Sequence, residues 1–459
     1  MGSAGLNQAR EKMRAAGIDE VAVDTFAHYY RLLEHGETGM IPEQTIEPVG
    51  MEALRDIEVA DDVAADALGK TAVIKLNGGL GTSMGMGRAK SLLCVRKGMN
   101  FLDIIVRQVL HLRRQHDATL PLIFMNSFRT SEDTMAALAR YTDLPVDGVP
   151  LEFLQNKEPK LLLDGLKPVT WQRDPDLEWC PPGHGDIYTA LRGTGMLELL
   201  RRQGYRYVFV SNSDNLGAVP DPRVAGWFAQ SGAPFAIEAV RRTASDRKGG
   251  HFARRKSDGR IILRETAQTL DEDRAKLADL DRHRFCSTNN LWFDIDRLEQ
   301  ELDLRGGILG LPLIRNVKPV DPSDTSSPQV VQIETAMGAA IEIFEDSALI
   351  EVDRDRFVPV KTTNDLLVLR SDVYDLGGDF VLDQAAAAVP FIDLDGSHYK
   401  LVTEFDKRFP DGTPSLKEAD SLRVSGDVTF GHGVKVVGAV SVEAEAARRI
   451  DPGTVLTQG

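Results

Sequence analysis

The sequence predicts an α/β protein: a largely parallel sheet covered by helices on both faces, preceded by a short helical segment and followed by a coiled β tail. Three observations carry this. Between residues 50 and 380, strand-like apolar runs alternate with helix-like segments, the order that builds a parallel sheet. One run, residues 72–76, breaks into a loop dense in glycine. From residue 422 onward, apolar residues recur every six positions.

The 459 residues are enough for two or three domains, and 42% hydrophobic with 27% charged is the balance of an ordinary globular chain. A formal charge of −15 argues against a nucleic-acid partner, because binding by counterion release needs a basic face. Phosphate ligands would then need locally placed lysines. Cys94, Cys180 and Cys286 are odd in number and lack pair spacing, which supports neither a disulfide framework nor a zinc site. The first ten residues hold no apolar core, and no stretch approaches the roughly 18 apolar residues of a membrane span. The expectation is a cytoplasmic protein without a membrane partner.

Taken in order, residues 1–45 read as helices: Ala22, Phe26, Tyr29 or Tyr30 and Leu33 recur at helical spacing, and His35-Gly36 closes the run. They would pack on the main domain or form a subunit contact in a homo-oligomer. Strands are expected at 72–76, 120–125, 151–154, 207–210 and 235–240, with helices such as 102–114 and 134–141 between them. Ligands of such sheets bind beyond the carboxyl ends of the strands, where the glycine loop and the loop after Val210 both fall. In the tail, Leu422, Val428, Val434 and Val440 form one six-residue series and Val424, Phe430, Val436 and Val442 another, with Gly426, Gly431, Gly433 and Gly438 between. Two inward positions per six residues is the pattern of a parallel β-helix, although half-buried hairpins would also alternate. The expected domains are 1–48, 49–380 and 381–459. Because coils stack on their own repeats, removal from about residue 385 onward is expected to leave the sheet able to fold.

The loop after residue 76 holds Gly78, Gly79, Gly81, Gly85 and Gly87, and ends at Lys90. Glycines let backbone N–H groups approach phosphate oxygens without a Cβ between, and Lys90 adds a cation. Two familiar loops do not fit: Ala89 stands where a P-loop needs Gly, and Gly79-Leu80-Gly81 is followed by Ser83-Met84 rather than the spacing of a dinucleotide fingerprint. Further along, Pro181-Pro182-Gly183-His184-Gly185-Asp186 stiffens and opens a segment that presents His184 at a fixed place. Asp214, beyond a buried strand in Asn212-Ser213-Asp214-Asn215, is placed to hold Mg²⁺; an Asx turn is the plainer alternative. Gln155 offers a donor and an acceptor side by side, and so does the amide of Asn289.

Leu76-Asn77-Gly78-Gly79-Leu80-Gly81-Thr82-Ser83-Met84-Gly85 followed by Lys90-Ser91 resembles the signature of the eukaryotic-type UDP-glucose pyrophosphorylases. Matching segments continue in consistent order to residue 374: those around Gln155, Gly183 and His184, Asn212 and Asp214, 248–250, 287–292, 332–338 and 357–366. Ala89, Cys180 and Ser287 depart from the family pattern, where Pro, an aromatic residue and Asn are usual. The resemblance implies a Rossmann-like, mixed and largely parallel sheet with a left-handed C-terminal β-helix. It also implies Mg²⁺-dependent, reversible conversion of UTP and glucose 1-phosphate into UDP-glucose and pyrophosphate by in-line displacement. Lys90 and Lys361 would be catalytic, the backbone of Leu76, Asn77, Gly78 and Gly79 would hold UTP with Gln155 and Gly183, and His184, Asn212 and Asn289 would meet the sugar phosphate. Asp214 would carry the metal. Two alternatives keep the architecture: a pyrophosphorylase of broader or N-acetylhexosamine 1-phosphate specificity, and a nucleotide-sugar-binding sensor. A double-displacement enzyme would need a reactive histidine in a setting that Gly183-His184-Gly185 lacks.

Overall fold

The computed structural model describes residues 4–247 and 249–457; of the sequence motifs, only Lys248 lies outside the described residues. Helices α1 (Ala4–Ala15) and α2 (Glu20–Glu34) form the expected N-terminal pair. The carboxylate of Asp19 caps α2 by accepting from Val21 N, and Gly36 takes the left-handed conformation just beyond its end. Their apolar faces bury Leu6, Phe26 and Tyr30 against Leu161, Leu313 and Ile333, so the pair packs on the main unit.

The centre is an eight-stranded sheet: β1 (Glu52–Ala53), β2 (Thr71–Asn77), β3 (Leu122–Asn126), β4 (Glu152–Leu154), β5 (Tyr207–Asn212), β6 (Phe235–Arg241), β7 (Phe285–Asp294) and β8 (Ala348–Glu351). The spatial order is β1-β8-β6-β7-β5-β2-β3-β4. All pairings are parallel except the two made by β7, so the sheet is mixed and largely parallel. Helices cover both faces, and the central strands read as unbroken apolar runs because each side meets a core cluster. Every strand expected from sequence is present within two residues. The helix expected at 134–141 instead runs Ser131–Leu138, with Glu132 and Asp133 in its first turn, where acidic groups favour a helix start.

In the tail, β9 (Phe391–Leu394), β10 (Ser415–Ser425), β12 (Lys435–Glu443) and β14 (Val455–Thr457) form one parallel sheet, and β11 (Val428–Phe430) pairs in parallel with β13 (Arg448–Ile450). All eight residues of the two six-residue series are buried, and Leu422 lies beside Val440 one coil on. Parallel pairing excludes the hairpin alternative. A Cβ on Gly426 would lie 2.0 Å from Ala444 O, which explains a glycine at that corner.

The tail is not a separate core. One cluster runs from Val73 and Phe209 under the sheet, through Leu366 and Tyr374, to Tyr399, Phe405, Leu422 and Phe430. The boundary expected at 380/381 falls in the turn of a hairpin that pairs Tyr374–Leu376 with Leu382–Gln384. No helix among the described residues is long and apolar enough to cross a membrane.

Candidate active site

Asn212 at the end of β5 pairs with Leu76 near the end of β2, so the glycine loop and the loop carrying Asp214 leave the same sheet edge side by side. Gly81 and Gly85 adopt the left-handed conformation, and Lys90 N donates to Gly79 O at 3.0 Å, closing the loop on itself. A Cβ on Gly78 would lie 2.6 Å from Gln155 Oε1. The Gln155 side-chain amide therefore rests on the Gly78 backbone, and the backbone N–H of Gln155 donates to Asn126 O at 2.8 Å. These two residues meet at the mouth of the loop. Asn77 is different: its buried side chain donates to Asn126 Oδ1 at 2.8 Å and Thr134 Oγ1 at 2.9 Å and accepts from Ser213 Oγ at 3.0 Å. Only its backbone is left to offer to a ligand.

Lys90 Nζ donates to Asp214 Oδ2 at 2.7 Å and also to the carbonyl of Val360. Asp214 O in turn accepts from Val360 N at 3.1 Å. Three segments distant in sequence thus meet at one ammonium, and Lys361, exposed, follows directly. Asp214 and Asn212 are both partly exposed beside this junction.

The segment before His184 is pinned to residue 335: Thr335 N donates to Pro182 O at 2.9 Å and Gly185 N to Thr335 O at 2.8 Å. Gly183, with φ 81°, passes so close that a Cβ would lie 2.5 Å from Thr335 O. His184 Nδ1 accepts from Met337 N at 3.0 Å, so the proton of the neutral ring sits on Nε2. Burial, helped by the charge of Lys361, brings its pKa down to about 4 and keeps the ring a neutral N–H donor. Beneath it, Asp186 accepts from Asn156 N and Nδ2, while burial raises its carboxyl to about 6.

Asn289 is partly exposed with φ 59°, a conformation asparagine tolerates, and its N–H is held by Ser287 Oγ at 3.0 Å. Its neighbour Asn290 points inward instead, donating to Glu238 Oε2 at 3.0 Å. Sequence reading did not single out Glu265, whose carboxylate lies 2.8 Å from where a Gly250 Cβ would stand, within the field of Lys361. It also passed over Lys75, a charged residue inside an apolar strand, which is a legible signal in itself.

A largely parallel sheet whose carboxyl edge gathers a glycine loop, two lysines and the partly exposed carboxylate of Asp214 defines a nucleotidyltransferase-type cleft. The family model for UTP--glucose-1-phosphate uridylyltransferase matches residues 23–437, and the chain belongs to that family. It is 38% identical over 394 residues to the UTP--glucose-1-phosphate uridylyltransferase of Hordeum vulgare, covering 85% of this chain and 80% of that protein. With a probable UTP--glucose-1-phosphate uridylyltransferase of Schizosaccharomyces pombe it shares 36% over 414 residues, covering 89% and 79%. Among solved structures, a point mutant of the Leishmania major UDP-glucose pyrophosphorylase in complex with UDP-Glc superposes with a TM-score of 0.94 at 42% identity, covering 100% of this chain and 99% of that one. The Trypanosoma brucei UDP-glucose phosphorylase gives 0.92 at 42% identity, covering 99% and 98%.

Proposed function

We propose that the cleft transfers UMP from UTP to glucose 1-phosphate, giving UDP-glucose and pyrophosphate, reversibly and with Mg²⁺. The activity follows from family membership across most of the chain. The roles of residues rest on one observation above the others, the junction of Lys90, Asp214 and Val360 beside the glycine loop. Asp214 suits Mg²⁺: its carboxylate is partly exposed beside the glycine loop, and Mg²⁺ keeps several waters and takes one or two carboxylates plus substrate phosphates. When bound there the ion would neutralise phosphate charge. Gly78, Gly79 and the backbone of Leu76 and Asn77 would hold UTP, with Gln155 reading uracil and Gly183 leaving room for the nucleotide. Lys90 and Lys361 would neutralise the phosphates as the sugar phosphate oxygen attacks in line. His184, as a donor at Nε2, Asn212 and Asn289 would orient the sugar phosphate. No protein nucleophile is needed.

The tail coils would wind left-handed, and the three expected segments would act as one unit whose second join lies beyond the 374–384 hairpin. Three free cysteines, two of them buried, fit the reducing cytoplasm. The deciding experiment is pyrophosphate release from UTP against a panel of sugar 1-phosphates, with and without Mg²⁺. Release confined to glucose 1-phosphate and dependent on Mg²⁺ is the expected result. Equal release with N-acetylhexosamine 1-phosphates would favour the broader enzyme, and none at all would favour a sensor.

A further inference from the structure

Lys75 lies within β2 at 1% exposure, and no carboxylate pairs with it among the described residues. Its ammonium donates to Ser211 Oγ at 2.7 Å and Ala218 O at 2.6 Å, and it stands 5.7 Å from the centre of the Phe209 ring. Glu238, the acid whose field reaches it, is engaged by Arg356 through two 2.7 Å bonds and by Asn290 and Trp292 at 3.0 Å each. Burying an ammonium without a counter-charge is among the most costly placements in a fold, far worse than a methionine of similar length. Such a group needs a reason beyond filling space.

Its two acceptors supply one. Ser211 and Ala218 flank the loop that carries Asp214, so a single Nζ ties both ends of that loop to β2, the strand that runs on into the glycine loop. Above this tie a second polar bridge joins the residue just past β5 to the end of β2, Ser213 Oγ donating to Asn77 Oδ1 at 3.0 Å, and above that stands Lys90 with Asp214 at 2.7 Å. Three bridges thus climb from the sheet interior to the cleft. We infer that Lys75 is a positioning residue for the transfer reaction, setting the Asp214 loop against the phosphate-binding glycine loop at a fixed spacing. Burial draws its pKa down to about 7, yet a neutral amine still has two hydrogens for two acceptors, so the tie survives loss of the proton.

This inference rests on Asp214 as the metal carboxylate, and the experiment separates the two. Mn²⁺ binding to the full-length protein with UTP is followed by electron paramagnetic resonance, alongside kcat, the two KM values and the melting temperature. Lys75→Met is expected to weaken Mn²⁺ about tenfold, the scale of losing a residue that orients a metal ligand. It should lower kcat by a similar factor and leave the KM for glucose 1-phosphate within about twofold. Ser211→Ala should move the same quantities in the same direction by a smaller factor, and it decides the matter if the methionine variant does not fold. A lower melting temperature with unchanged kcat and Mn²⁺ affinity in both variants means a purely structural tie and overturns the inference. Asp214→Asn is the reference. If it loses Mn²⁺ while both other variants keep it, positioning alone fails; if it keeps Mn²⁺, the metal assignment fails and the inference with it.

Discussion

Lys90 and Lys361 are the sharpest points at which single residues can be tested. Each should act on charge developing at the phosphates, and losing a preorganised charge contact costs on the order of 10²-fold to 10³-fold in rate. Lys90→Ala and Lys361→Ala are therefore each expected to collapse kcat, with arginine a poor replacement because its planar fork does not mimic a compact ammonium. Their thermal behaviour should differ. Lys361 is exposed, so its removal should leave stability within about 0.5 kcal/mol, whereas Lys90 joins three segments and its loss should also lower the melting temperature. Gln155→Ala should raise the KM for UTP far more than that for glucose 1-phosphate; parallel changes in steady-state kinetics would remove it from the uracil site. His184 has a folded pKa of about 4 against an ordinary 6.5, so it favours the folded state fully above pH 6.5, and that contribution falls away as pH drops toward 4. Nitrogen-15 spectra of labelled histidine should show a neutral ring protonated at Nε2 throughout pH 6 to 8. A titration midpoint near 6.5 would mean the ring is not buried beside Lys361 as the structure has it.

Among the elements, the segment 181–186 depends on glycine for a reason that can be measured. With φ 81° and Thr335 O 2.5 Å from any added Cβ, Gly183→Ala forces either the loop or the segment at Thr335 to move. Backbone strain of this kind costs about 1–3 kcal/mol before the clash is counted, so the variant should lose activity and several degrees of melting temperature together. Regular elements were readable where burial on both faces left unmixed signals: β2, β3, β5 and β6 are apolar runs, and the six-residue series marked the tail. β7 was not read as a strand because polar residues at 287–290 interrupt it; their bonding to Glu238 and to one another is tertiary and leaves no periodic trace. For the same reason the sequence singles out Asn289 through resemblance, while the inward turn of Asn290 beside it appears only in the structure. Asn77 stands in a motif by position, but its side chain belongs to the scaffold, a distinction that depends on Asn126, Thr134 and Ser213 arriving from three other segments.

At the level of the whole molecule, the continuous core revises the expectation that the tail is separable. Cutting at about residue 385 would open the core cluster that Leu366, Leu369 and Tyr374 share with Tyr399 and Phe405. The truncated chain is expected to aggregate, and light scattering that instead shows a stable monodisperse product would restore independent folding of the sheet. Such sharing had no sequence signal, because a residue facing another element's interior reads the same as one facing its own. The bridge from Lys90 to Val360 spans 270 positions, and it carries a consequence for synthesis. A ribosome releases the glycine loop early, yet the carbonyl that steadies its lysine is not made until nearly four-fifths of the message has been translated. A nascent chain interrupted before residue 360 holds the glycine loop without the Lys90–Asp214–Val360 junction, so premature termination there is expected to yield an inert fragment rather than an enzyme of relaxed selectivity.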